Sequence, residues 1–240
     1  MRVLVASRNT KKLRELERVL DARRVAGIEL VSLRDVMDFP EAPETGRTFG
    51  DNALLKARDA ARHTGLVSVA DDSGLSVDEL NGMPGVLSAR WSGSHAADDV
   101  NMNLVLGQMA DVPDERRGAA FVSVCAVVVP EVLMHRAEAV GLLAPTVQER
   151  GGGIPLSAPI TPGEFVARGE WRGRIIREPR GDNGFGYDPI FIPEEEDARA
   201  ISGGEARTSA ELSAEEKDAQ SHRGRALAQL VPLLRSVGTM

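Results

Sequence analysis

The sequence predicts an α/β protein, and two observations carry that expectation. Short β-branched apolar runs alternate with amphipathic segments of helical period through the first half: "VLVA", "TKKLRELERVL", "IELVSL", "DNALLKARDAARHTG" and "LVSVA". The second half is richer in strand and turn, with strands expected at "AAFVSVCAVVV", "MHRAEAVGLL", "FVARGEWRGRII" and "YDPIFI". No repeat of solenoid period is visible.

Each element has a local reason. "VLVA" runs into Ser7, Arg8 and Asn9, where Asn9 is a plausible helix cap, and Leu13, Leu16 and Leu20 line one face of the helix that follows. Thr48 with Asp51 forms a capping box, which starts the next helix near Phe49 and puts Asn52 and Lys56 on one face. The apolar strand "LVSVA" then ends on two acids, Asp71 and Asp72, followed by Ser73 and Gly74. Near the C-terminus Ser213 and Glu216 form another capping box, and Leu227, Leu230, Val231 and Leu234 give the core stripe of a helix kinked at Pro232. One continuous helix there would hold Lys217 and His222 about 140° apart. A break with Ser221 as a new cap would bring His222 and Arg223 to a helix start beside Lys217. Two stretches, near 144–163 and 194–210, have the glycine, proline and charge content of mobile surface insertions.

Composition excludes several classes. A net charge of -7 argues against a sequence-blind nucleic-acid or anionic-membrane surface, so an anionic substrate needs a local cationic pocket or a metal. The single cysteine, Cys125, sits in an apolar strand, which rules out an internal disulfide and suits a buried, inert thiol in a reducing compartment. No segment approaches the ~18 apolar residues of a membrane span, and the N-terminal apolar stretch is too short for a signal peptide, so a cytoplasmic location is expected. The four histidines have no zinc spacing. The glycine run 151–153 lacks the lysine and following helix of a P-loop.

Four blocks could carry chemistry. The strand-to-helix turn at Ser7, Arg8, Asn9 and Thr10 presents backbone N–H groups to an anion, and Lys11 and Lys12 add charge where the helix dipole disfavours cations. The alternative is a solvated first turn helped by Glu15 and Glu17. Glu44 lies just before the capped helix, and a lone loop glutamate is ordinarily solvated. In "GDNGFGYDPIFIP", Gly186 allows close backbone approach and Phe185 could stack on a planar base, against a bland tight turn at Tyr187 and Asp188. The pair Asp71 and Asp72 costs repulsion unless a cation or solvent relieves it, and a solvated turn is the competing reading.

Taken in order, "SRNTKKLRELE", "ETGRTFGDNALLKA", "ADDSGLSVDELNGMPGVLSARWSG", "GFGYDPIF" and "AELSAEEKDAQSHRGRAL" resemble the non-canonical purine nucleoside triphosphate pyrophosphatases, the inosine and xanthosine triphosphatase family. The resemblance spans nearly the whole chain apart from the two insertions. It implies an elongated mixed central β-sheet flanked by helices, one domain over 1–240 with two lobes and an active-site cleft, and a homodimer. It also implies Mg²⁺-dependent hydrolysis of ITP, dITP or XTP to the monophosphate and pyrophosphate, which cleanses the nucleotide pool. Carried over by position, Ser7 to Lys12 and Lys217 hold phosphates, and Ser73 touches the nucleotide. Phe185, Gly186, Tyr187 and Asp188 shape the base pocket with His222 and Arg223. Glu44 and Asp72 match the metal-site acids, and Asp72 also matches the proposed proton acceptor, with Asp71 or a water relay as the alternative. The chain departs from the pattern at Pro43, where an acid is common, at Asp51 in place of glutamate, and in a longer segment before Phe165. The rival readings are a Maf-like pyrophosphatase of pyrimidine or modified nucleotides, and a nucleotide-binding module without turnover.

Overall fold

The structure, a computed structural model, describes residues 1–40, 43–94, 97–143, 146–148, 156–157, 159–201 and 203–240. In chain order the elements are β1 (Arg2–Val5), α1 (Thr10–Ala22), β2 (Glu29–Ser32), α2 (Phe49–Thr64), β3 (Val67–Val77), α3 (Asp98–Gln108) and β4 (Gly118–Val128). They continue with α4 (Met134–Ala139), β5 (Thr146–Gln148), β6 (Glu164–Ile175), β7 (Phe191–Pro193), α5 (Glu194–Ile201), α6 (Ala214–Gln220) and α7 (His222–Gly238). Among the described residues seven strands form a mixed sheet in the order β2-β1-β3-β4-β6-β5, with β7 beside β6. β1 runs parallel to β2 and β3, β5 parallel to β6, and β7 antiparallel to β6.

Two compact units divide the chain: Met1–Asp72 with Ser123–Gly169 and Arg223–Met240, and Ser73–Val122 with Glu170–His222. In the first, β1 is buried along Val3, Leu4 and Val5 and pairs Val3 with Val67 and Val5 with Val69. Such a continuous apolar run is what a strand covered on both faces requires. Leu16 and Leu20 of α1 and Leu227, Leu230 and Leu234 of α7 pack into the same cluster as Val3, Val5 and Val69. α2 turns its small residues Ala53, Ala57 and Ala61 toward Ala70, Val124 and Val166. Both hydrogen bonds of the Thr48–Asp51 capping box are made, and Gly65 ends the helix at φ 66, a left-handed conformation that suits glycine. In the second unit Trp171, Phe191 and Phe121 form the centre of the core, with ring centroids 5.7 Å (Trp171–Phe191) and 4.7 Å (Phe121–Phe191) apart.

Three local expectations are revised and one is met. β3 does not stop at the two acids but continues to Val77, with Asp71 and Asp72 buried inside it. The solvated-turn reading of these residues therefore fails. "MHRAEAVGLL" is not a strand: Met134–Ala139 forms α4, consistent with the helix propensity of Met, Arg, Ala and Glu. "YDPIFI" is strand only from Phe191, because Asp188–Ile190 makes a 3-10 turn with Pro189 inside it. The break at Ser221 is real, since its extended backbone separates α6 from α7. Most of the 144–163 segment lies outside the described residues, and Glu194–Ile201 is helical. Among the described residues no helix is long and apolar enough to cross a membrane.

Candidate active site

Asp71 and Asp72 occupy successive positions of β3, and the alternation of an extended strand gives them different partners. Asp71 accepts from Lys12 Nζ at 2.8 Å and from Arg223 Nε at 3.0 Å. Arg223 in turn donates through Nη1 to Glu15 Oε2 at 2.9 Å, so α1, β3 and α7 are tied by one buried ion-pair chain. Asp72 faces α2: its Oδ1 lies 3.2 Å from Lys56 Nζ and its Oδ2 accepts from Asn52 Nδ2 at 3.0 Å. Asn52 is fully buried, and its Oδ1 accepts Gly46 N–H at 2.7 Å. That bond fastens the loop carrying Glu44, whose Oε1 reaches Lys56 Nζ at 2.5 Å.

These environments separate the two acids electrostatically. Burial alone would raise the Asp71 carboxyl, but Lys12 and Arg223 override it and hold the group well below the usual carboxylate range. Asp72 goes the other way: burial raises it, Lys56 and Asn52 only partly offset the rise, and Glu44 adds to it. Burial disfavours the Lys56 ammonium, yet Asp72 and Glu44 keep it more basic than an ordinary lysine.

In the first unit a cavity of about 340 Å³ is walled by the β1–α1 turn at Ser7, Arg8 and Asn9, and by Lys12, Lys56, Glu44 and Asp71. Leu33, Phe39 and Ala60 close its apolar side. Ser7 Oγ accepts Asn9 N–H at 3.2 Å, and Thr10 opens α1. Lys11 belongs to that helix, but its side chain lies outside the described residues.

The remaining candidates fall in the second unit. Ser73 follows Asp72 on β3. Asp188 is buried and accepts Phe185 N–H at 2.9 Å, Ser209 Oγ–H at 2.8 Å and the Lys217 ammonium. Phe185 is 48% exposed, with Lys217 Nζ 5.4 Å from its ring centroid. Gly186 sits at φ 63, a left-handed value that favours glycine, and donates its N–H to Asp98 at 2.8 Å. Tyr187 is buried and donates its hydroxyl to the Ser88 carbonyl at 2.8 Å. His222 opens α7 and stacks on Phe121 at 5.1 Å and 16°.

Two residues of this constellation had no site role in the sequence reading. Glu15 looked like a solvated neighbour of the basic turn, yet it is buried against Arg223. The available signal was its place three residues after Lys12, on the same helix face. Asn52 was placed on a face with Lys56, but nothing local announced that its amide joins Asp72 to the Glu44 loop. Cys125 is buried, its thiol pushed up to about 12 by that burial, so it is inert.

Among the described residues no group of three or more His, Cys, Asp or Glu side chains gathers as a metal cage. Glu44 and Asp72 nevertheless converge on one cation, Lys56 Nζ. Two carboxylates are the protein share that Mg²⁺ commonly takes when phosphates and water complete its shell. The donor set therefore fits a hard divalent ion.

Fold and site together define an α/β protein with a cavity walled by a strand-to-helix turn, two lysines and the carboxylates of Glu44 and Asp71. The chain belongs to the Ham1 family, whose model matches residues 3–153 and 154–233. It is 54% identical over 237 residues to a dITP/XTP pyrophosphatase of Mycobacteroides abscessus, covering 99% of this chain and 96% of that protein. It is 55% identical over 238 residues to the dITP/XTP pyrophosphatase of Mycobacterium tuberculosis, covering 99% and 97%. Among solved structures, the Mycobacterium abscessus nucleoside-triphosphatase superposes with a TM-score of 0.69 at 54% identity, covering 98% of this chain and 100% of the other. A HAM1 protein from Coxiella burnetii does so at 0.74 and 38%, covering 98% of both chains.

Proposed function

We propose that this chain hydrolyses non-canonical purine nucleoside triphosphates, dITP, ITP and XTP, to the monophosphate and pyrophosphate. The observation that carries the reading is the division of labour between two adjacent acids: one neutralised by Lys12 and Arg223, the other left basic beside Lys56. Relatives more than half identical along nearly their whole length bear the name dITP/XTP pyrophosphatase, which supports the substrate class.

In this reading the β1–α1 turn and Lys12 hold phosphate oxygens through backbone N–H groups and a positive charge. Following the resemblance, we assign the half-exposed Phe185 of the second unit to the base and Lys217, which lies over its ring, to a phosphate. Water attacks the α-phosphorus in line, its proton passes to the Asp72 carboxylate, and the α–β bridging bond breaks to release pyrophosphate. With no ion bound, burial leaves Asp72 the more basic of the two carboxyls. Asp71, committed to two cations and held low, is a poor one. Glu44 and Asp72 are the residues that would hold Mg²⁺, which when bound neutralises charge on the phosphate chain. Following the resemblance, we also propose a cytoplasmic homodimer. Light scattering that returns the mass of one chain would overturn the dimer.

The test is pyrophosphate release across a substrate panel. Inosine and xanthosine carry a 6-keto oxygen and an N1–H, and adenine reverses that pattern. A pocket built for the first edge leaves its polar groups unpaired against the second, so kcat/KM for ITP or XTP should exceed that for ATP by at least ~10². Comparable values would overturn the reading.

A further inference from the structure

α6 has seven residues, too few to be stable alone, so its position is set by what grips it. Its start is fixed by a capping box: Glu216 N–H donates to Ser213 Oγ at 3.2 Å, and Ser213 N–H donates to Glu216 Oε2 at 2.9 Å. Lys217 comes next, its own N–H bonded to the Ser213 carbonyl at 3.0 Å. Wherever the cap sits, Lys217 sits. The capping carboxylate is also held from outside the helix. Arg207 donates Nη1 to Glu216 Oε2 at 3.2 Å and Nη2 to Glu216 Oε1 at 3.0 Å. On its other side it reaches the buried Glu196 of α5, with Nη2 on Oε1 at 2.8 Å and Nε on Oε2 at 3.0 Å. α5 is itself fastened to β6, where Trp171 Nε1 donates to Glu195 at 3.0 Å and Arg174 Nη2 lies 3.1 Å from Asp197.

An isolated exposed ion pair would add little, but a planar guanidinium forked between two carboxylates fixes geometry as well as charge. We propose that Arg207 is a positioning residue: through Glu216 it sets the start of α6 and so the place of Lys217 on Asp188. The proposal rests on the reading of Lys217 as a phosphate-binding cation. It gives α5 a task beyond surface decoration, as the anchor to which the lysine-bearing helix is tied.

The test is a double-mutant cycle on Arg207→Ala and Lys217→Ala, with KM and kcat for ITP measured alongside melting temperature. Arg207→Ala should raise KM about 3–10-fold and leave kcat within about twofold, as loss of an optimally placed charged hydrogen bond does. In the Lys217→Ala background the same substitution should leave KM unchanged. Arg207→Lys, which keeps the charge and loses the fork, should behave like Arg207→Ala. Should Arg207→Ala not fold, Arg207→Lys and Glu196→Gln replace it in the cycle. Equal, additive effects in both backgrounds would overturn the tether and leave Arg207 a stability residue. An unchanged KM in Lys217→Ala alone would overturn the phosphate role of Lys217, and the tether with it.

Discussion

Replacing Asp71 with asparagine removes the one negative charge shared by Lys12 at 2.8 Å and Arg223 at 3.0 Å, all three groups being largely withdrawn from water. Removing one member of a buried pair costs about 3–5 kcal/mol, and because Arg223 keeps Glu15 the lower end applies, about 3 kcal/mol. At roughly 2–4 °C per kcal/mol for a chain of this size, the melting temperature should fall by about 6–12 °C. The Asp71 carboxyl is lowered in the folded state, so its contribution is complete at pH 7 and is lost only as pH falls below the unfolded value near ~3.9. The gap between wild type and Asp71→Asn should therefore stay constant from pH 8 to about 5 and begin to narrow toward pH 3. Asp72 has the opposite sign. Its carboxyl is raised by burial, so its contribution is present below the unfolded value and is lost as pH rises through the folded one. At pH 7 Asp72→Asn should lower the melting temperature less than Asp71→Asn does, because Lys56 keeps Glu44, while kcat falls by roughly 10²–10⁴. Scanning calorimetry from pH 3 to 8, paired with pyrophosphate release at saturating ITP, reads both quantities. Equal loss of melting temperature in the two variants would refute the division of roles, as would near-normal turnover in a folded Asp72→Asn protein.

Other outcomes follow from the same geometry. Lys12→Ala should weaken binding of ITP but not of inosine, which has no phosphates, in side-by-side calorimetric titrations; equal losses would place Lys12 away from the phosphates. EDTA should abolish pyrophosphate release and Mg²⁺ should restore it, since Glu44 and Asp72 fit a hard cation; turnover that survives EDTA would remove the ion from the mechanism. Gly74→Ala would put a Cβ 2.2 Å from Ser88 Oγ and 2.6 Å from the Gly85 carbonyl, so denaturant melts should show a loss of about 1–3 kcal/mol. A melt matching wild type would mean the Gly85–Ser88 turn yields freely.

What was legible in the sequence was local. Both capping boxes, the Leu16 and Leu20 stripe and the break at Ser221 depend on residues a few positions apart, and each stands where its pattern put it. α4 was misread because a short run with two apolar ends carries too few residues to distinguish a period of two from one of 3.6. The course of β3 past its acids could not be read locally. Two carboxylates inside a strand become tolerable only through Lys12, Lys56 and Arg223, each on a different helix. The Glu15–Arg223 bond joins residues 208 positions apart, and no periodicity links them. The acids could be picked out as chemistry, whereas their partners needed the fold.

The alternation along β3 also decides which genetic changes the site can survive. Losing one codon between Val67 and Ala70 would carry Asp72 into the place of Asp71, opposite Lys12 and Arg223, and leave Ser73 opposite Lys56 and Asn52. Gaining one codon would seat Asp71 opposite Lys56 and leave Ala70 facing Lys12 and Arg223. In either case the inward and outward sets of the strand exchange faces. The doubled acid is thus no spare copy. This stretch should accept conservative replacements of its apolar residues far more readily than any change in their number.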